Sequence, residues 1–343
     1  METRTKHQRW PALDMLKALG VFIMIVSHSL IWWVSEDDTS VKADEQKYFE
    51  SLGLGLVVMS FFPLSIPITA GAAFYFFMER KKKETTRLIL VSAIKKSLLL
   101  ILLGFGLNIL TWGVDNAFAW DVLGFVAICI GISAIILRIL NIWVMYLLGM
   151  SSLLFAPILR EFFGGDTYIQ VILFGDYGNN FWPLFPWLGI YVLGMGVAHL
   201  KKNVDNDTFW KIGLIVGISL FTVDLLSGDA FFRLNPSNIW GPEVFQPPTE
   251  KILGLMGVFL ILIVFIDRYA KKDSPFNIVG SFSKGIMYIY LAHIIGGFRL
   301  IESLKVSHGV EFLVVAIAFQ LFAAYCIGYI VILMRKKGFL RWY

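Results

Sequence analysis

Two of the five histidines in this chain stand inside long apolar stretches, where an ionisable side chain is costly and usually functional. His28 lies in the outer half of Val21–Val34, and His293 closes the segment Tyr288-Ile-Tyr-Leu-Ala-His293. An imidazole titrates near neutral pH, so it can act as base, acid or nucleophile. A neutral imidazole also serves as a hydrogen-bonding partner between helices, and for His28 the two readings are evenly matched. The aromatic neighbours of His293 favour packing. His7, His199 and His308 flank the apolar stretches and are expected to be solvated.

The approach to His28 carries more information. Pro11-Ala-Leu-Asp14-Met-Leu-Lys17 runs directly into Ala18–Ser27 and then His28. Asp14 and Lys17 are three apart and share a helix face, an arrangement that also suits an interfacial ion pair snorkelling toward water. Eleven residues separate Lys17 from His28, close to three helical turns or about 16 Å. A cation and an imidazole therefore lie on nearly one face at different depths. No His/Asp/Glu pair has metal-ligand spacing, and HExxH, Walker-type, GxGxxG and GxSxG patterns are absent. Cys129 and Cys326 both sit in apolar runs and imply no disulfide framework.

The elements that must position these residues are set by composition. Of 343 residues, 57% are hydrophobic and only 16% charged, with a mean hydropathy of +0.71. A soluble domain carries roughly 25% charged residues. The excess apolar residues form runs long enough to cross a bilayer, which needs about 20 residues per helix. The runs are continuous rather than alternating, so they are helices and not barrel strands. The chain is thus expected to be all-α, one integral membrane domain over 1–343. Spans are placed near 13–34, 54–78, 88–110, 118–138, 141–159, 182–200, 210–227, 250–268, 284–303 and 310–333.

Charge then orients the bundle. Arg4, Lys6 and Arg9 come first, followed by Arg80, Lys81, Lys82, Lys83 and Arg87, then Arg138, Lys201 and Lys202. Arg268, Lys271, Lys272 and the Arg335–Lys337 cluster complete the set. With ten spans all of these fall on one side, the cytoplasmic side, and both termini face the cytoplasm. The intervening loops are poor in lysine and arginine, and residues 35–50 are rich in acids. The net charge of +5 is therefore a membrane-topology signal, and nucleic acid is not an expected partner. The first span is too long for a signal peptide and is expected to be retained.

Several segments resemble known membrane enzymes. Leu13-Asp14-Met-Leu-Lys17, followed by ten residues and His28, is similar to the Leu-Asp-x-x-Arg…His opening of acyltransferase-3-type membrane acyltransferases, with lysine in place of arginine. The rest resembles the related group that includes heparan-α-glucosaminide N-acetyltransferase. Asp121-Val-Leu-Gly is similar to that group's fourth-span opening, and Pro183-Leu-Phe-Pro186-Trp187-Leu-Gly189 to its Pro-Trp-x-Gly span. Gln246-Pro247-Pro248-Thr249 and Tyr290-Leu-Ala-His293 are similar to later segments. Lys17 lacks the planar fork that arginine offers a phosphate.

The resemblance implies transfer of an acyl group, usually acetyl, from cytoplasmic acyl-CoA (acetyl-CoA) to a carbohydrate or glycan acceptor on the far side, with no metal. Thioester transfer calls for a base or nucleophile near neutral pKa, and His28 is expected to act as base, oriented by Asp121. Asp14, Lys17 and Lys284 are expected near the CoA phosphates. Asp176, Tyr177, Asn180, Trp187 and His293 are expected toward the acceptor, although an interfacial aromatic belt explains the tryptophan equally well. Membrane lipids are further partners, a bacterial-type cell membrane is implied, and association into homo-oligomers is left open. The rival reading is a transporter or flippase, in which Pro63, Pro67 and Gly71 would break a helix around a midplane site.

Overall fold

A computed structural model describes residues 10–32, 54–165, 167–175, 182–227, 248–270, 277–304 and 310–339. Side chains at 30–32, 54–63, 298–304 and 310–313 fall outside that description. Among the described residues the secondary structure is helical throughout, with eleven α-helices and one 3₁₀ turn. They are α1 (Pro11–Trp32), α2 (Leu54–Arg80), α3 (Thr86–Trp112), α4 (Val122–Ile139), α5 (Ile142–Phe163) and the short α6 (Tyr168–Phe174). The chain continues with α7 (Leu184–Asn203), α8 (Asn206–Leu226), α9 (Thr249–Tyr269), α10 (Ile278–Leu304) and α11 (Val310–Lys336). Nine are long and apolar enough to cross a membrane over their described residues. The 27-residue α2 is the tenth long helix.

Helix starts are fixed by polar caps just outside the apolar runs. Thr85, Asp121, Asn141 and Asp205 each accept a backbone N–H of the first turn, satisfying donors that the helix itself cannot. Bonds from the Thr208 backbone N–H and hydroxyl hold the Asp205 carboxyl below the usual carboxylate range. Pro11 opens α1 at a position where its missing N–H costs nothing.

The basic clusters meet one another. Lys202 pairs with Glu79, Lys201 with Asp267, and Arg268 with Asp207. Arg138 donates to the carbonyls of Lys81 and Glu84, and Trp10 Nε1 donates to Asp267. The ends of α1, α2, α4, α7, α8 and α9 that the positive-inside rule assigns to the cytoplasm thus gather on one face. At the other face Trp120 Nε1 donates to the Trp182 carbonyl and Tyr168 to that of Phe118.

Where helices cross most closely, side chains are dispensed with. A Cβ on Gly71 would lie 2.0 Å from the Tyr191 carbonyl oxygen, and one on Gly194 would lie 2.0 Å from that of Ile68. These glycines let α2 and α7 pack backbone to backbone, as small residues do in membranes. α2 also runs unbroken past Pro63 and Pro67, so the discontinuous helix expected of a midplane transport site is not formed there. Gly71 serves packing instead.

Three buried clusters organise the interior. The largest draws on α2, α3, α4, α5, α7, α8 and α9 and takes in the cytoplasmic start of α1. A second joins the middle of α1 to α10 and α11. A third, small one ties Leu107 and Leu123 to Ile294, bridging α3 and α4 to α10.

Candidate functional site

α1 carries the site along its length. Near its cytoplasmic end Asp14 Oδ1 accepts a hydrogen bond from the Ser283 hydroxyl of α10. Further out, His28 Nδ1 lies 3.2 Å from His293 Nε2, also on α10. The imidazole planes are within 4° of parallel, and the ring centroids are 5.3 Å apart. The nitrogens are closer than the centroids by about two ring radii, so the rings meet edge to edge. That is an in-line N–H···N contact rather than a face-to-face stack. His293 is buried and His28 half-buried. Ser29, the residue after His28, is buried and accepts from Gln320 Nε2 of α11 at 2.9 Å. The Gln320 side chain also engages His293.

Below this pair lies a cavity of about 770 Å³. Lys17, Arg80, Lys81 and Lys96 line its cytoplasmic mouth, with Glu84 as the acidic counterpart. Its walls are apolar, from Leu16 and Phe77 up to Met24, Leu123 and Tyr290, with the hydroxyls of Ser65 and Thr69 among them. Thr69 spends its hydroxyl proton on the Ser65 carbonyl. Met24 is one turn before His28, and Tyr290 one turn before His293, so the lining reaches within about 6 Å of axial rise of both imidazoles. The cavity joins a positively charged opening on one face to the neighbourhood of the two imidazoles.

The expected residues separate clearly. His28 and His293 are brought together, and Lys17 stands at the cavity mouth. Asp14 joins α1 to α10. Lys284 sits on α10 two residues before the lining Ile286 but does not line the cavity. Asp121 caps α4, with Oδ1 accepting from the Gly124 N–H at 2.9 Å and Oδ2 buried without a hydrogen-bond partner. The ring that meets His28 is that of His293. Trp187 is 1% exposed and lies 4.8 Å from the Trp182 ring, within the main core. Asp176, Tyr177 and Asn180 lie outside the described residues.

Other residues were assigned differently from sequence. His199, expected to be solvated, lies with its Nδ1 2.6 Å from the Tyr146 hydroxyl, because the last turn of α7 packs against α5. Arg80 and Lys81 read as loop anchors, yet they flank the cavity. Gln320 went unremarked, although a lone carboxamide within an apolar span is itself a signal of interhelical bonding.

The heparan-alpha-glucosaminide N-acetyltransferase catalytic family matches residues 9–221, a stretch covering α1 to α8 apart from the last turn of α8. Comparison with curated proteins and with solved structures finds no match.

Proposed function

The chain belongs to the heparan-alpha-glucosaminide N-acetyltransferase catalytic family, as a multi-pass membrane protein of acetyltransferase type, and from that premise we propose that it moves an acetyl group from cytoplasmic acetyl-CoA to a glycan hydroxyl or amine at the outer side. The observation that carries this reading is the cavity, basic at the cytoplasmic mouth and apolar along its length, that rises beside α1 to within one helical turn of the His28–His293 pair.

Each part has a chemical task. Lys17, Arg80, Lys81 and Lys96 meet the phosphates of CoA through charge-assisted hydrogen bonds. The apolar walls take the pantetheine arm and thioester and exclude water that would hydrolyse it. His28 removes the proton from the acceptor as its oxygen or nitrogen attacks the acetyl carbonyl. The carbon–sulfur bond breaks, and the proton returns to the departing thiolate, so free CoA leaves as the thiol. The position of His28 in the outer half of α1 suits an acceptor arriving from outside.

The test uses purified protein in lipid nanodiscs with labelled acetyl-CoA and a panel of amino-sugar and sugar acceptors. Acetylated product is expected from the wild type and is lost in His28→Ala, while acetyl-CoA still binds. Acceptor crossing vesicles containing the protein without acetyl-CoA would instead establish a transporter.

A further inference from the structure

The paired imidazoles raise a question that their distance alone does not answer: which nitrogen holds the proton. Between two neutral rings in line, one nitrogen must donate and the other accept. Either order satisfies the 3.2 Å contact between His28 Nδ1 and His293 Nε2. Only one order leaves His28 with a bare nitrogen away from His293.

The third helix of the cluster selects that order. Gln320 of α11 has its Nε2 committed to the Ser29 hydroxyl at 2.9 Å. The carboxamide end left over is Oε1, which is buried and makes no hydrogen bond of standard geometry. The same side chain engages His293, whose Nε2 is already turned to His28. A buried carbonyl oxygen without a partner carries a desolvation cost of about 1–3 kcal/mol, and a proton on His293 Nδ1 removes it. Resting on the base role given above to His28, we propose that Gln320 is a positioning residue that holds His293 as its Nδ1–H tautomer and thereby His28 as its own.

The consequence follows ring by ring. With the proton on Nδ1, His293 presents a bare Nε2 toward His28. His28 must then donate through Nδ1, and its Nε2 is left unprotonated as the basic atom. When Nε2 takes the acceptor's proton, His28 holds two. The Nδ1 proton can then shift across the in-line contact to His293 Nε2, placing the positive charge on a ring whose other N–H faces the Gln320 carbonyl. Return of that proton to His28 and release of the Nε2 proton to the CoA thiolate restores the starting state.

Nitrogen-15 solid-state NMR of histidine-labelled protein in lipid bilayers reads this directly, since protonated and bare imidazole nitrogens give well-separated signals. With five histidines, single His→Gln variants assign the spectrum. The expected result for the wild type is Nδ1–H with bare Nε2 on both His28 and His293. Gln320→Glu, which keeps an acceptor oxygen at the same reach, is expected to retain it, whereas Gln320→Leu should give a mixture of tautomers. In the acetyl-transfer assay Gln320→Leu should lower kcat about 10–100-fold, by analogy with the loss when the outer hydrogen-bond partner of a metal-bound histidine is removed, with the KM for acetyl-CoA unchanged. A wild-type His293 carrying its proton on Nε2 overturns the proposal, as does an unchanged spectrum in folded Gln320→Leu. The wild-type spectrum needs no substrate and no variant at Gln320, so the tautomer stands or falls apart from acetyl transfer.

Discussion

If the cavity mouth receives a polyanion, removing its lysines one at a time should weaken binding in an order set by burial. Lys96 is half-buried, with its ammonium 5.2 Å from the Phe77 ring centroid, and Lys17 is also half-buried, whereas Arg80 is exposed. A hydrogen bond to a charged group contributes about 1.5–3 kcal/mol, and each 1.4 kcal/mol is about tenfold in affinity. Lys96→Met and Lys17→Met keep the apolar stem and remove the charge, so each should raise the Kd for acetyl-CoA roughly 10- to 100-fold. Arg80→Met, screened by solvent, should cost about 1 kcal/mol or less, roughly fivefold. Binding is read by equilibrium titration of protein in nanodiscs at several salt concentrations. The wild type should lose affinity as salt rises, and Lys96→Met should lose less. Folded Lys17→Met and Lys96→Met proteins that bind acetyl-CoA like the wild type would remove the mouth from the donor site.

Other substitutions test the scaffold. Gly194→Val forces a methyl-bearing carbon against the Ile68 carbonyl, which is backbone and cannot turn aside; a loss of about 3 kcal/mol is expected, read as a lowered midpoint in thermal unfolding followed by size exclusion. Asp267→Ala leaves the mostly buried Lys201 ammonium without its ion-pair partner and Trp10 Nε1 without its acceptor; destabilisation of about 3–5 kcal/mol is expected in the same assay. Tyr146→Phe removes the hydroxyl facing His199 and should cost about 1 kcal/mol while acetyl transfer stays within twofold of wild type.

The spans were legible because a bilayer imposes length and hydropathy on every helix, and their ends differed from the hydropathy windows mainly where polar caps extend them. Asn206 and Asp207 begin α8 ahead of its apolar run because Asp205 caps it, and a window that scores hydropathy starts too late. α6 was missed inside the outer loop, since seven residues with a Thr167–Gln170 capping box give no membrane-scale signal. Lys17 and His28 were legible as a pair because one helix sets their spacing. The His28–His293 contact was not, since 265 residues separate the partners and only the packing of α10 on α1 brings them together. The aromatic neighbours of His293 pointed to packing, and its sequence context held no sign of the His28 partner. Trp187 likewise carries a residue type that suits a sugar, but its helix faces the core.

The distribution of packing explains why the cavity and the imidazoles can coexist. α1 belongs to both large clusters, while α10 meets α3 and α4 through the small cluster around Leu107, Leu123 and Ile294. Those residues lie toward the outer halves of their helices, so the cytoplasmic halves of α3 and α10 are left apart and the cavity occupies the gap. His28, His293 and Gln320 all sit on α1, α10 and α11, the three helices of the second cluster. The cavity is lined by α1 and α10 of that trio as well as by α2, α3 and α4. On the proposed reading, the mutual packing of α1, α10 and α11 preorganises His28 before the thioester arrives.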